Sequence, residues 1–143
     1  MSKVREAEIT DLPALLGMVS KFNNKYFDIE LDPDKTEDMI LRLITTGIVF
    51  ISPTGFIGGM VVPDLFRNRT YLQELGWYAE DSTGYYLLKA FIKEAKKYAI
   101  DEIRMCLLET SPPEAEVLLH RVGFVPIEHS YRLTIKEENN GSS

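Results

Sequence analysis

Three observations predict an α/β fold in which a mixed central sheet carries helices on both faces. Apolar residues recur at spacings of three and four in several separate stretches, the period of a helix with one buried side. Between them lie short runs with the alternating or continuous apolar character of strands. The two kinds of stretch also interleave along the chain, as strand, two helices, three strands, helix, strand, helix and a terminal strand, which is the pattern of helices packed on a sheet rather than of two segregated layers.

The chain has 143 residues, 45% hydrophobic and 10% aromatic. That is the length and apolar content of one globular domain with a true core, expected over residues 1–135. The polar end, Lys136 to Ser143, is expected to be a disordered tail. A net charge of −6 and a pI near 5.0 argue against direct nucleic-acid binding, which needs a basic footprint. The single cysteine, Cys106, rules out an internal disulfide and fits a reducing compartment. It lies in an apolar run and is expected in the core. The start, Met1-Ser2-Lys3-Val4-Arg5-Glu6, has no apolar signal segment, and no later run approaches a membrane span. The expectation is a soluble, cytoplasmic protein.

Val4 to Ile9 is expected as an edge strand. Thr10-Asp11-Leu12-Pro13 supplies a cap and a first-turn proline for a helix to about Phe22, with Leu12, Leu15, Leu16, Val19 and Phe22 on one face. Asp32-Pro33-Asp34 starts a second helix with the buried stripe Met39, Ile40, Leu43 and Ile44, and Gly47 stops it. The link between them mixes aromatics with acids. It suits either a substrate mouth or an ordinary surface connection. Ile48 to Ile51 and Phe56 to Val62 flank Ser52-Pro53-Thr54-Gly55 and read as a hairpin, with Gly58-Gly59 hinting at a bulge. Tyr71 to Ala79 is the central strand, and simple alternation puts Glu74, Gly76 and Tyr78 on one face. A helix follows with Leu87, Leu88, Phe91, Ile92, Ala95 and Tyr98 inward. Glu102 to Leu108 is apolar on both sides and is expected in the middle of the sheet, with Ile103, Met105 and Leu107 in the core. Ser111-Pro112-Pro113-Glu114 starts the last helix, and Phe124 to Ile135 supplies the terminal strand or strands.

The junction of the central strand with its helix draws the functional reading. Its turn, Glu80-Asp81-Ser82-Thr83, leads into Gly84, and the first N–H groups of a helix, here Ser82 to Tyr85, can bind an anion such as a phosphate-bearing cofactor. Gly84 would let such a ligand approach the backbone. A helix capped by Asp81 or Ser82 with no ligand accounts for the same residues. His129 could titrate near neutrality but has no ligand-spaced partner, so no metal site is expected, and His120 should face water.

The element order, together with Val4-Arg5-Glu6-Ala7, Asp11-Leu12 and the closing Ala115-Glu116-Val117-Leu118-Leu119-His120-Arg121-Val122-Gly123-Phe124, resembles the GNAT superfamily of N-acetyltransferases over nearly the whole chain. The resemblance implies a mostly antiparallel GNAT-like sheet and acetyl-CoA as co-substrate, with the backbone of Gly76, Trp77 and Tyr78 along its pantetheine arm. It further places the pyrophosphate on Ser82, Thr83, Gly84 and Tyr85. Direct transfer to an amine is implied, with Glu74 as the base. A homodimer is compatible with it. A weaker likeness, resting on Glu74-Leu75-Gly76-Trp77-Tyr78, is to small acetyltransferase-like proteins of bacteriophages.

The departures are specific. Ala79 stands where the family's cofactor loop has Gln or Arg, and Ser82 where it has its first Gly. Leu119 stands where a proton-donating tyrosine is common, and Pro112 where an asparagine is. Tyr131 is taken as the substitute proton donor to the CoA sulfur, against the reading of a packed or surface tyrosine. Glu74 is equally compatible with a hydrogen-bonded strand residue. A GNAT-fold protein without catalysis, acting as a binding or structural partner, is the competing function. The acidic link Asp28, Glu30, Asp32 and Asp34 favours a cationic acceptor if the protein is an enzyme.

Overall fold

The computed structural model describes residues 3–136, so most of the expected tail, 137–143, lies outside the described residues. The chain divides into two compact units, Met1–Leu108 and Glu109–Ser143.

The first unit is a five-stranded sheet with helices on both faces. Strand β1 (Arg5–Glu6) is followed by a short 3-10 turn and helix α1 (Leu12–Tyr26), then α2 (Pro33–Thr46). Strands β2 (Ile48–Ser52), β3 (Gly55–Pro63) and β4 (Thr70–Ala79) form a meander, α3 (Thr83–Ala95) follows, and β5 (Glu102–Arg104) ends the sheet. The strand order is β1-β2-β3-β4-β5, antiparallel except for the parallel β4–β5 pair. Arg5 forms a two-pronged pair with Asp11 at 2.7 and 2.8 Å, fastening β1 to the start of α1. Asp32 caps α2 by accepting from the Lys35 N–H at 2.9 Å, with Pro33 in the first turn, where its missing N–H costs nothing.

Two cores flank the sheet. On one face Leu15 and Met18 of α1 and Ile40 and Leu43 of α2 pack with Val49, Ile51, Phe56 and Tyr78. On the other, α3 lays Leu87, Leu88 and Phe91 over the strand residues Ile57 and Leu72, all five at 0% exposure. The hydrophobic stripe of α3 therefore faces a fully dry surface.

The end of this unit differs from expectation. The strand expected over Glu102–Leu108 spans only Glu102–Arg104, and among the described residues it is an edge. Ile103, Met105 and Leu107 are half-buried rather than core, and Cys106 is exposed. An apolar run cannot by itself distinguish a central strand from an edge whose pairing stops early.

The second unit carries α4 (Pro113–Arg121), ended by Gly123 with φ of 104°, the left-handed geometry that favours glycine after a helix. Leu119 is buried, whereas His120 faces solvent as expected. Residues 124–135, expected as strand, have no strand assignment. Their apolar residues Val125, Ile127, Leu133 and Ile135 are all exposed.

Candidate active site

The register of β3 against β4 decides the geometry. Gly58 pairs with Gly76 and Gly59 with Glu74, so Leu75 has no partner and bulges. A Cβ built on Gly59 would meet Phe91 at 2.8 Å, on the α3 face, whereas one on Gly58 would meet Val49 at 3.5 Å, on the α1/α2 face. Direct cross-strand partners share a face. Glu74 therefore belongs to the α3 side, while Gly76 and Tyr78 belong to the α1/α2 side. This corrects the simple alternation, which put all three together. The Gly58-Gly59 signal for a bulge was present in the sequence, but its consequence, a one-residue phase change at Leu75, depends on the pairing.

The pairing of β4 with β5 ends at Gln73–Arg104, although β4 continues to Ala79. Beyond Gln73 no strand among the described residues pairs with that edge of β4. Glu74 stands at the opening and its Oε1 accepts the Cys106 N–H at 3.0 Å, so its side chain ties β4 to the segment that follows β5. The residue is 7% exposed. Burial pushes its carboxyl up to about 7, and the bond from the Cys106 N–H opposes part of that rise. The Cys106 thiol, placed in the core by its apolar neighbours, instead lies beside this opening, with its Sγ 3.5 Å from Gln73 Nε2.

At the other end of β4 the turn is held by its own side chains. Asp81 Oδ1 accepts the Thr83 N–H at 2.9 Å and also the Thr83 hydroxyl. Those bonds hold its carboxyl below the ordinary aspartate range. The Gly84 N–H lies 3.5 Å from the Asp81 carbonyl. Thr83 Oγ1 also sits 2.9 Å from the buried Ser52 hydroxyl, and Glu80 lies 3.7 Å from Lys21. The Ser82 side chain makes no cap bond. The capped-helix alternative thus describes the first N–H of α3. A Cβ on Gly84 would sit 3.4 Å from Ala79 Cβ and 3.9 Å from Trp77 Nε1, and Trp77 donates to the Gly84 carbonyl at 2.9 Å. A Cβ there would make an ordinary contact with β4, so its missing side chain faces the strand.

On the α1/α2 face a cavity of about 510 Å³ opens among Leu15, Val19, Phe22, Met39 and Leu43, with Gly58, Leu75 and Gly76 along the sheet. Glu30 and Asp32 from the acidic link line it, with Lys35 and Asn23; Asp28 and Asp34 do not. The sequence reading singled out the link but not the cavity. Its walls come from helix faces indistinguishable in pattern from ordinary core, and the Gly76 position, whose Cβ would meet Phe56 at 2.9 Å, is legible only in three dimensions.

Tyr131 lies in the second unit, in residues without strand assignment, and is 93% exposed. Among the described residues no cluster of His, Cys, Asp and Glu could hold a metal ion. No described helix is long and apolar enough to cross a membrane.

The sequence matches no protein-family model and no curated protein. The fold does have solved counterparts. An acetyltransferase from Trypanosoma brucei is 15% identical with a TM-score of 0.67, covering 94% of this chain and 100% of its own. An aminoglycoside acetyltransferase from an uncultured soil metagenomic sample, solved with sisomicin, is 11% identical with a TM-score of 0.69, covering 95% and 96%. Glucosamine-6-phosphate N-acetyltransferase from Arabidopsis thaliana is 8% identical with a TM-score of 0.69, covering 95% and 99%. With its meander, its early parting of β4 from β5 and helices on both faces of a mostly antiparallel sheet, this chain has the fold of the GNAT acetyltransferases.

Proposed function

We propose that the protein is an acetyl-CoA-dependent N-acetyltransferase that moves an acetyl group directly to an amine. The observation that carries this reading is Glu74: a buried carboxylate with its pKa raised to about 7, placed at the parting of β4 from β5. A structural ion pair would lower a carboxyl pKa, whereas a base for an ammonium group works best when its pKa is near the operating pH. The unpaired edge of β4 over Gly76, Trp77 and Tyr78 suits an extended arm bearing amide groups, as in pantetheine. At the turn the fit is partial. The Tyr85 end of the first helical turn remains suited to a phosphate, while Asp81 already occupies the Thr83 N–H.

In this reading Glu74 takes a proton from the acceptor's ammonium, directly or through a water. The freed amine attacks the thioester carbonyl, the C–S bond breaks, and the CoA thiolate takes up a proton. Tyr131 is the proposed donor of that proton, as a substitute for the tyrosine that the family carries where this chain has Leu119.

The charge of Asp81 at the turn supports a second reading, a GNAT-fold protein that binds a partner without catalysis. Calorimetric titration with acetyl-CoA separates the two, followed by turnover with an amine panel at saturating acetyl-CoA. On the enzymatic reading acetyl-CoA binds, and Glu74→Gln lowers kcat by roughly a hundredfold to ten-thousandfold while leaving cofactor affinity near that of the parent. Tyr131→Phe lowers kcat alone if the tyrosine is the acid. Absence of acetyl-CoA binding, or equal turnover in parent and Glu74→Gln, overturns the proposal.

A further inference from the structure

We infer that the acceptor is a primary amine carried on a bulky apolar body, aromatic or branched alkyl, which seats in the cavity between α1, α2 and the sheet. This rests on the acetyltransferase reading and deepens it. At about 510 Å³ the cavity falls within the roughly 300–1,000 Å³ range of small-molecule sites. Its lining is mostly apolar, with Leu15, Val19, Phe22, Leu43, Val49 and Phe56 among it, beside the polar side chains of Asn23, Glu30, Asp32, Lys35 and Thr36. Gly58 and Gly76 form its sheet side, and the Phe56 ring packs over Gly76, where a Cβ would meet it at 2.9 Å.

Polar groups gather on the α1–α2 link and the first turn of α2. Asp32 already caps α2, and Lys35 is the cation in the lining. Glu30 makes no ion pair or hydrogen bond among the described residues and is the carboxylate left to meet an ammonium. Leu75 and Gly76 of β4 line the same cavity, while Glu74, one residue before them, lies on the α3 face and outside that lining.

A polyhydroxylated or polycationic acceptor carries more polar groups than the few on this lining can partner, and a buried polar group without a partner is costly. An apolar body gains from the same transfer. The acceptor class therefore differs from aminoglycoside and from glucosamine 6-phosphate, the compounds named for two proteins of the same fold.

The test uses the full chain with acetyl-CoA and four amines: phenylethylamine, tryptamine, spermidine and glucosamine 6-phosphate. The expected result is a kcat/KM for the first two that exceeds the others by roughly tenfold or more, the scale on which apolar pockets discriminate. Met39→Trp enlarges an exposed side chain on the cavity wall. It should raise KM for phenylethylamine by about tenfold with acetyl-CoA affinity unchanged. Preference for spermidine or glucosamine 6-phosphate, or indifference of KM to Met39→Trp, overturns the inference while leaving acetyl transfer intact. Calorimetric titration of phenylethylamine into the protein alone gives a readout independent of transfer. Binding that Met39→Trp abolishes supports the cavity assignment even if acetyl-CoA fails to bind, in which case the acetyltransferase reading falls by itself. No binding of phenylethylamine, in the presence or absence of acetyl-CoA, overturns it.

Discussion

The two faces of the sheet are built to different standards. Under α3, Ile57, Leu72, Leu87, Leu88 and Phe91 lose all contact with water, and Gly59 is small because the Phe91 ring lies against it. Under α1 and α2, Phe22 and Leu43 also pack with the strand residue Phe56, yet a cavity of about 510 Å³ remains between the helices and the sheet. Close packing on one face supplies rigidity and the open face supplies room. The same strand, β4, serves both, and its bulge at Leu75 is where its side chains change sides.

The largest expected effect breaks the closed face. Phe91→Ala should destabilise the fold by roughly 3–5 kcal/mol, since it removes a fully buried ring and leaves a void that the rigid surroundings cannot close. Met39→Ala, on the wall of a space that is already open, should cost far less in the same denaturant titration. Equal losses would show that the faces do not differ in the way described.

The second effect is pH-dependent and belongs to the strand between the faces. The folded pKa of Glu74, about 7, lies above its ordinary 4.5. The folded state therefore binds this proton more tightly than the unfolded chain does. Its contribution to stability is complete below pH 4.5 and is lost as pH rises through about 7, for a total of about 3 kcal/mol. Glu74→Gln should abolish that slope and make the protein more stable than the parent at pH 8 while lowering its turnover. Denaturation series at pH 5 and pH 8 on both proteins check this. A parent no less stable, relative to the variant, at pH 8 than at pH 5 would remove the case for a buried, proton-poised carboxylate.

How much of this was legible in sequence depended on whether the signal was local. The caps at Asp32 and Pro33, the stop at Gly47 and the hairpin around Ser52-Pro53-Thr54-Gly55 are short-range chemistry, and all fall within a residue or two of the expected places. Glu74 was picked out as a carboxylate, but its face was not. The face depends on Gly58 and Gly59 pairing across the strand, and no pattern within β4 reveals that. Cys106 is exposed and Met105 half-buried despite their apolar run, because apolarity does not say where a neighbouring strand stops. Tyr131 was chosen to fill a family role that Leu119 cannot fill, and its own surroundings offered no independent sign.

A smaller effect sharpens the closed face at its rim. Trp77 donates to the Gly84 carbonyl, tying β4 to the first turn of α3. Trp77→Phe drops the donor and part of the ring, so the fold should lose at least about 1 kcal/mol. Hydrogen exchange should show the loss concentrated at the N-terminal turn of α3. Uniform loss across α3 would mean that the ring's packing, not its N–H, was the important part.

The smallest effect on stability tests whether the turn is closed as firmly as the face beside it. Asp81 places its carboxylate on the Thr83 N–H, where the partial positive charge of the α3 N-terminus favours an anion. An incoming pyrophosphate seeks the same charge and is repelled by the same carboxylate. Asp81→Asn keeps a side-chain oxygen that can cap the helix and removes the negative charge. Its cost in stability should be slight, whereas acetyl-CoA should bind several-fold more tightly because the repulsion is gone. The gain should shrink as salt is raised, since exposed charges are screened over about 10 Å at 0.1 M. Desulfo or dephosphorylated fragments of the cofactor locate the effect: pantetheine, which has no pyrophosphate, should bind parent and variant alike. If Asp81→Asn tightens pantetheine as much as acetyl-CoA, the carboxylate is not competing with phosphate, and the pyrophosphate must be sought away from the start of α3. If it weakens acetyl-CoA instead, Asp81 is a binding residue, and the turn that looked closed is part of the open side of the molecule.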